Sequence, residues 1–123
     1  MKVKDGVLTD KDLLELAAKA AGNGANSWSD YQQCLFTTHG PYPNTYKKWN
    51  PLADDGDEAR LEAVLALGVI WYPVGVQVGP AVCGPNTGSA FFEYFDQHAG
   101  DKQSARRLAG VKAAASILVK PAD

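Results

Sequence analysis

Between Leu13 and Ala20 apolar residues return at helical spacing: Leu13, Leu16, Ala17 and Ala20 share one face, while Asp12, Glu15 and Lys19 lie off it. The run carries its own boundary signals. Thr9 is suited to cap the first turn, Asp12 stands three residues on as a shorter form of the capping-box acid, Leu8 is placed to staple onto Leu13, and Gly22 offers a left-handed end. The spacing predicts a helix over residues 10–21. A second stripe, Leu61, Val64 and Leu65, falls in the helix-prone run from Ala59 to Leu67 and stops at Gly68. A third, Leu108, Val111, Ala115 and Leu118, predicts a helix from near Asp101 to Val119, closed by Pro121.

Where the period shortens, β-branched and aromatic residues take over. Gln33–Thr37 reads as a short strand, and Val69–Val78 as a longer one in which Pro73, unable to donate to a ladder, must sit at an edge or bulge. Ala90–Phe95 reads as a strand antiparallel to it across a wide turn region. The order helix, strand, helix, strand, strand, helix predicts an α+β fold: three helices packed on a short antiparallel sheet of about three strands.

Residues 22–51 follow neither period. They are rich in Gly, Asn, Ser and Pro and carry Trp28, Tyr31, Tyr42, Tyr46 and Trp49. Such rings either pin a long connection to the core or form a contact surface. On the second reading the candidate binding residues are Trp28, Tyr42, Tyr46, Trp49 and Asn50.

Composition narrows the class. A chain of 123 residues, 46% hydrophobic and 21% charged, is expected to form a single domain over residues 1–123. Twelve basic against fourteen acidic side chains give a formal net charge of -2, which argues against sequence-independent phosphate binding and leaves room for a local patch. Basic residues cluster only weakly, at Lys47-Lys48 and at Lys102, Arg106, Arg107 and Lys112, and a solvated helix face accounts for Lys102, Arg106 and Lys112. The N-terminus lacks a signal-peptide apolar stretch, and no run approaches the roughly 18 apolar residues of a membrane span, so a cytoplasmic protein without membrane contact is expected. Cys34 and Cys83 belong to no C-x-x-C pair and are expected to be reduced.

The most chemical-looking stretch is Asp54-Asp55-Gly56-Asp57-Glu58. It lacks the alternation of a calcium loop. As a helix start it fits well, with Asp55 capping and Glu58 at the third position, or one residue earlier with Asp54 and Asp57. A divalent-metal hydrolase or nuclease using these acids with His39 or His98 is the alternative, and a Cys–His nucleophile is a further one. His39 and His98 show no ligand spacing and read as exposed loop residues, and no short signature of hydrolases, P-loop proteins or dinucleotide binders occurs. No cofactor is expected. Lysines beside aromatics at Lys47, Lys48 and Trp49 leave a weak single-stranded nucleic-acid binder as another alternative.

Three segments, LLELAAKAAG, WNPLADDGDEARLEAVLALGV and SARRLAGVKAAASI, resemble a group of small tailed-phage and prophage proteins of unknown function in the neighbourhood of the NinX-like phage family. The central segment, Trp49-Asn50-Pro51-Leu52 followed by the acidic turn and Arg60-Leu61, is the most specific. The resemblance implies a phage or prophage accessory protein of the bacterial host cytoplasm with no catalytic residues to carry over. It points to a non-catalytic interaction module for a host or phage protein. A homodimer is a further expectation if the strand at 90–95 ends on an open sheet edge.

Overall fold

Helix α1 (Asp10–Ala21) begins and ends where local chemistry dictates. The computed structural model describes residues 8–22, 25–37, 47–81 and 88–118 of the chain. Thr9 Oγ1 accepts from the Asp12 amide at 3.2 Å, and the Asp12 carboxylate accepts from the Thr9 amide at 3.1 Å. Two amides that a helix start leaves unpaired are thereby satisfied. Gly22 closes the helix at φ 65, its amide donating to the Ala18 and Lys19 carbonyls. Leu13, Leu14, Leu16, Ala17 and Ala18 are buried.

The long irregular stretch folds into a small antiparallel sheet in the order β1 (Ala25–Ser29), β2 (Cys34–Thr37), β3 (Lys47–Trp49). Only its middle strand is legible in the sequence. The first reads ANSWS and the third is three residues long, so neither is a recognisable period-2 run. A tight turn joins β1 to β2, with Gln33 at φ 53 and its amide donating to the Ser29 carbonyl at 2.8 Å.

Helix α2 (Asp55–Leu65) is capped by Asp54, whose carboxylate accepts from the Asp57 amide at 2.9 Å, so the cap stands one residue before Asp55. The helix ends at Ala66 in a left-handed conformation, and Gly68 lies inside the following strand. Its buried face is not the stripe expected. Leu61 is buried, but Val64 is 64% exposed, and Glu58 and Glu62 turn inward. The reason is Arg106, 44 residues from Glu62 in the chain, which binds the Glu62 carboxylate and lies 3.5 Å from that of Glu58.

The predicted 69–78 strand is two strands folded back at Pro73. β4 (Leu67–Trp71) pairs with β5 (Gly75–Pro80), and the Tyr72 amide donates to the Gly75 carbonyl at 2.8 Å across the turn. β6 (Phe91–Tyr94) then pairs antiparallel with β5, giving a second sheet in the order β4-β5-β6. The fold is therefore α+β, with six strands in two three-stranded antiparallel sheets among the described residues.

Helix α3 (Lys102–Ser116) is capped by Asp101, which accepts from the Gln103 and Ser104 amides at 3.1 Å each. Ala105, Ala109, Val111, Ala113, Ala114 and Ala115 are buried, so small side chains let the helix lie close to α1, to α2 and to the second sheet. Leu118, placed on the expected core face, falls beyond the helix end and is exposed. The buried apolar side chains form one cluster to which both sheets and all three helices contribute.

Candidate functional site

The aromatic residues expected to form a surface are placed by the folding of the first sheet. Trp49 ends β3 inside the core, paired across the ladder with Leu35. Trp28 in β1 is half-buried, its indole Nε1 donates to Asp30 at 2.7 Å, and Lys11 Nζ stands 5.9 Å from its ring centre. Asn50 builds a turn: its Oδ1 accepts from the Leu52 amide at 3.2 Å, its carbonyl accepts from the Ala53 and Asp54 amides, and its own amide donates to Asp57 at 2.9 Å. Trp49 and Asn50 therefore join the first sheet to α2. Tyr42, Tyr46, His39 and Cys83 lie outside the described residues.

The acids of the opening turn of α2 spend their oxygens on amides and arginines. Asp54 caps the helix, and the Asp57 amide, together with that of Gly56, holds its carboxyl below the usual range. Asp57 pairs with Arg60 at 2.6 Å, and Asp55 pairs with Arg107 at 2.6 Å. Arg107 also donates to the Leu52 carbonyl at 2.9 Å, tying this turn to α3. Among the described residues no three of His, Cys, Asp and Glu are grouped to hold a metal ion. Cys34 is fully buried in β2, and burial pushes its thiol up, away from the reactive thiolate.

Two buried carboxylate centres lie between helix and helix, and between sheet and helix. In the first, Arg106 grips Glu62 with two bonds, Nε to Oε2 at 2.9 Å and the terminal nitrogen to Oε1 at 2.7 Å. Glu58, 1% exposed, sits beside this pair with Arg106 Nε at 3.5 Å, and its Oε1 meets Gly110 with no hydrogen-bond partner. Burial, then the hydrogen bond to Glu62 and that residue's charge, push Glu58 up to about 9. Burial also pushes Glu62 up, but Arg106 and the proton of Glu58 outweigh it and leave Glu62 below its usual range. At neutral pH the pair shares one proton, with Glu58 donating to the Glu62 carboxylate.

In the second centre Glu93 of β6 is buried, with His98 Nε2 at 3.0 Å from one oxygen and Lys112 Nζ at 2.8 Å from the other. His98 Nδ1 lies 3.0 Å from Ser104 Oγ. Burial pushes Glu93 up, but Lys112 and His98 outweigh it and hold the carboxyl below its usual range. A hydroxyl, an imidazole and a carboxylate in line have the composition of a nucleophilic relay. The Ser104 and Gln103 amides, which could otherwise face an oxyanion, donate to Asp101. The chain of contacts fixes the start of α3 against β6. His98 is half-buried rather than the exposed loop residue expected, and Arg106 and Lys112 are ion-pair partners rather than a solvated face.

The second sheet has two faces of different fate. Val76 and Val78 of β5 are fully buried, along with Leu67 and Glu93, on the side covered by α3. The opposite side presents Gly68 and Ile70 of β4, Tyr72, Gly75, Gln77 and Gly79 of β5 and its turn, and Ala90, Phe92 and Tyr94 at β6. Ile70 is 51% exposed, Tyr72 43% and Tyr94 51%. The Phe92 ring lies over Gly75 and meets Tyr94 edge-on at 4.8 Å and Tyr72 at 5.6 Å. Gly75 is required there, because a Cβ would press into that ring and come within 2.5 Å of the Glu93 carbonyl.

No protein-family model matches the chain, and comparison with curated proteins and with solved structures finds no match. The sequence signal that marks the exposed face is visible in retrospect. Ile70 and Tyr72 alternate with Val69 and Trp71, so the strand is apolar on both sides, whereas an antiparallel strand with one face in water alternates apolar with polar.

Proposed function

We propose that this chain is a non-catalytic protein-interaction module whose contact surface is the outer face of the second sheet. The observation that carries the reading is the cluster of Ile70, Tyr72, Phe92 and Tyr94, uncovered by any helix among the described residues and surrounded on its face by Gly68, Gly75, Gln77, Gly79 and Ala90, none of them charged. Soluble monomers seldom expose contiguous apolar patches of more than a few hundred Å2 without a use for them. Charge depletion and aromatic enrichment are what distinguish the buried centre of a protein interface from ordinary surface. The absence of Lys and Arg from this face, and rings tilted against one another at 58° and 70°, favour a protein partner over stacked nucleic-acid bases. A phage or prophage accessory role in a bacterial host cytoplasm is part of this proposal and rests on the resemblance of the three sequence segments.

The test is affinity capture from bacterial lysate with the wild type and with a Tyr72→Lys/Tyr94→Lys double variant matched for melting temperature. Partners held by the wild type and lost by the double variant are expected. Identical capture by both would place the contact elsewhere and overturn the reading.

A further inference from the structure

We infer that the outer face of the second sheet pairs with the same face of a second copy of this chain, about a two-fold axis passing close to Gln77. This deepens the interaction-module reading above and rests on it. Three features of the face select a second copy as the occupant.

The first is charge. The chain carries 12 basic and 14 acidic side chains, yet the nine outward positions from Gly68 to Tyr94 carry none. In a two-fold interface every residue near the axis meets its own copy, so any charge there would oppose itself. A face matched to a different partner gains steering and selectivity from complementary charge, and this one offers no charge for such a partner to read.

The second is the position of Gln77. It lies on the central strand, opposite Ile70 on one side and Phe92 on the other, with its neighbours Val76 and Val78 buried on the far face. The amide side chain holds both a donor and an acceptor. Placed near a two-fold axis, two such amides satisfy each other, which neither a carboxylate nor an ammonium group does. The apolar rings flank this polar centre, and Gly68 adds no side chain beside Ile70.

The third is area. Phe and Tyr side chains bury roughly 150–250 Å2 when fully covered, and Ile and Val fall at or below the lower end. At the exposures of Ile70, Tyr72 and Tyr94, together with Val74 at 61% in the adjoining turn and half-buried Phe92, the apolar area is about 400 Å2 per copy by the same measure. Two copies, with the strand backbone and Gln77 included, approach the roughly 1,200 Å2 at which specific interfaces begin. The expected association is therefore a reversible, micromolar dimer rather than an obligate one.

Sedimentation equilibrium from about 5 to 500 μM on the full chain tests this, using wild type, Gln77→Glu, Gln77→Lys and an equimolar mixture of the two variants. Gln77 is half-buried on the outer face, so the melting curve of each variant is recorded first and association is compared at a temperature where all are folded. The wild type should dimerise. Each single variant should bind itself at least about tenfold more weakly, since two like charges then oppose each other. The mixture should recover association, because Glu now meets Lys. A wild type that stays monomeric at 500 μM, or a Gln77→Glu chain that dimerises as well as wild type, or a mixture no tighter than its parts, would each overturn the self-pairing. None of these outcomes depends on the lysate capture by the Tyr72→Lys/Tyr94→Lys variant, which tests the interaction-module reading separately.

Discussion

Replacing Glu58 by Gln should stabilise this protein more as the pH rises. Glu58 is 1% exposed, lies between Glu62 and Gly110, and keeps its proton in the folded chain up to about pH 9. In the unfolded chain it releases that proton near its ordinary value of 4.5. Between those limits folding takes up a proton, so the contribution of Glu58 is fully favourable only below pH 4.5 and declines as pH rises towards 9. The limiting slope for one proton is about 1.4 kcal/mol per pH unit. From pH 6 to pH 8 the wild type should therefore lose roughly 2–3 kcal/mol through this one group. Gln keeps a donor for the Glu62 carboxylate and has nothing to ionise, so the variant should lack that slope. Urea denaturation of both proteins at pH 6, 7 and 8 measures it, with the difference between them taken at each pH to cancel groups common to both. A stability difference that stays constant across the range would show that Glu58 is ionised in the folded chain and refute the shared proton.

Other consequences are as direct. Gly75→Ala should cost roughly 1–3 kcal/mol in urea denaturation, because the new methyl group meets both the Phe92 ring and the Glu93 carbonyl; unchanged stability would refute that packing. Lys112→Met should cost about 1.5–3 kcal/mol at pH 7 by removing a charged partner of buried Glu93. Because Glu93 sits below its usual range, its ion pairs stabilise the chain above the ordinary carboxylate range, and the gap between wild type and variant should close as pH falls through that of the folded carboxyl. Asp54→Ala should lower the melting temperature more than Asp55→Ala, since Asp54 is the cap of α2 and Asp55 contributes an exposed pair with Arg107.

What the sequence discloses is the chemistry that acts within a few residues. The capping box of Thr9 and Asp12 and the left-handed Gly22 are local, and each reads correctly from spacing alone. The α+β order follows from them. The failures share a cause at longer range. Apolar spacing places Val64 on the inward stripe, but Arg106, 44 residues from Glu62, draws two carboxylates to the inward face of α2. The strand at 69–78 splits because Pro73 enters a turn instead of an edge, and the two halves pair with each other as β4 and β5. Trp49 and Asn50 are conspicuous in the sequence, and in the fold Trp49 is buried and Asn50 is bonded in a turn, whereas Tyr72, Phe92 and Tyr94 come together only when β5 lies between their strands.

The outer face of the second sheet is the centre of this account, and amide chemical shifts followed on dilution test it most directly. Two-dimensional nitrogen–proton spectra of the uniformly labelled chain from 1 mM to 20 μM should show concentration-dependent shifts confined to residues 68–79 and 90–94. Spectra that do not change, or shifts centred on α2, α3 or the first sheet, would contradict it.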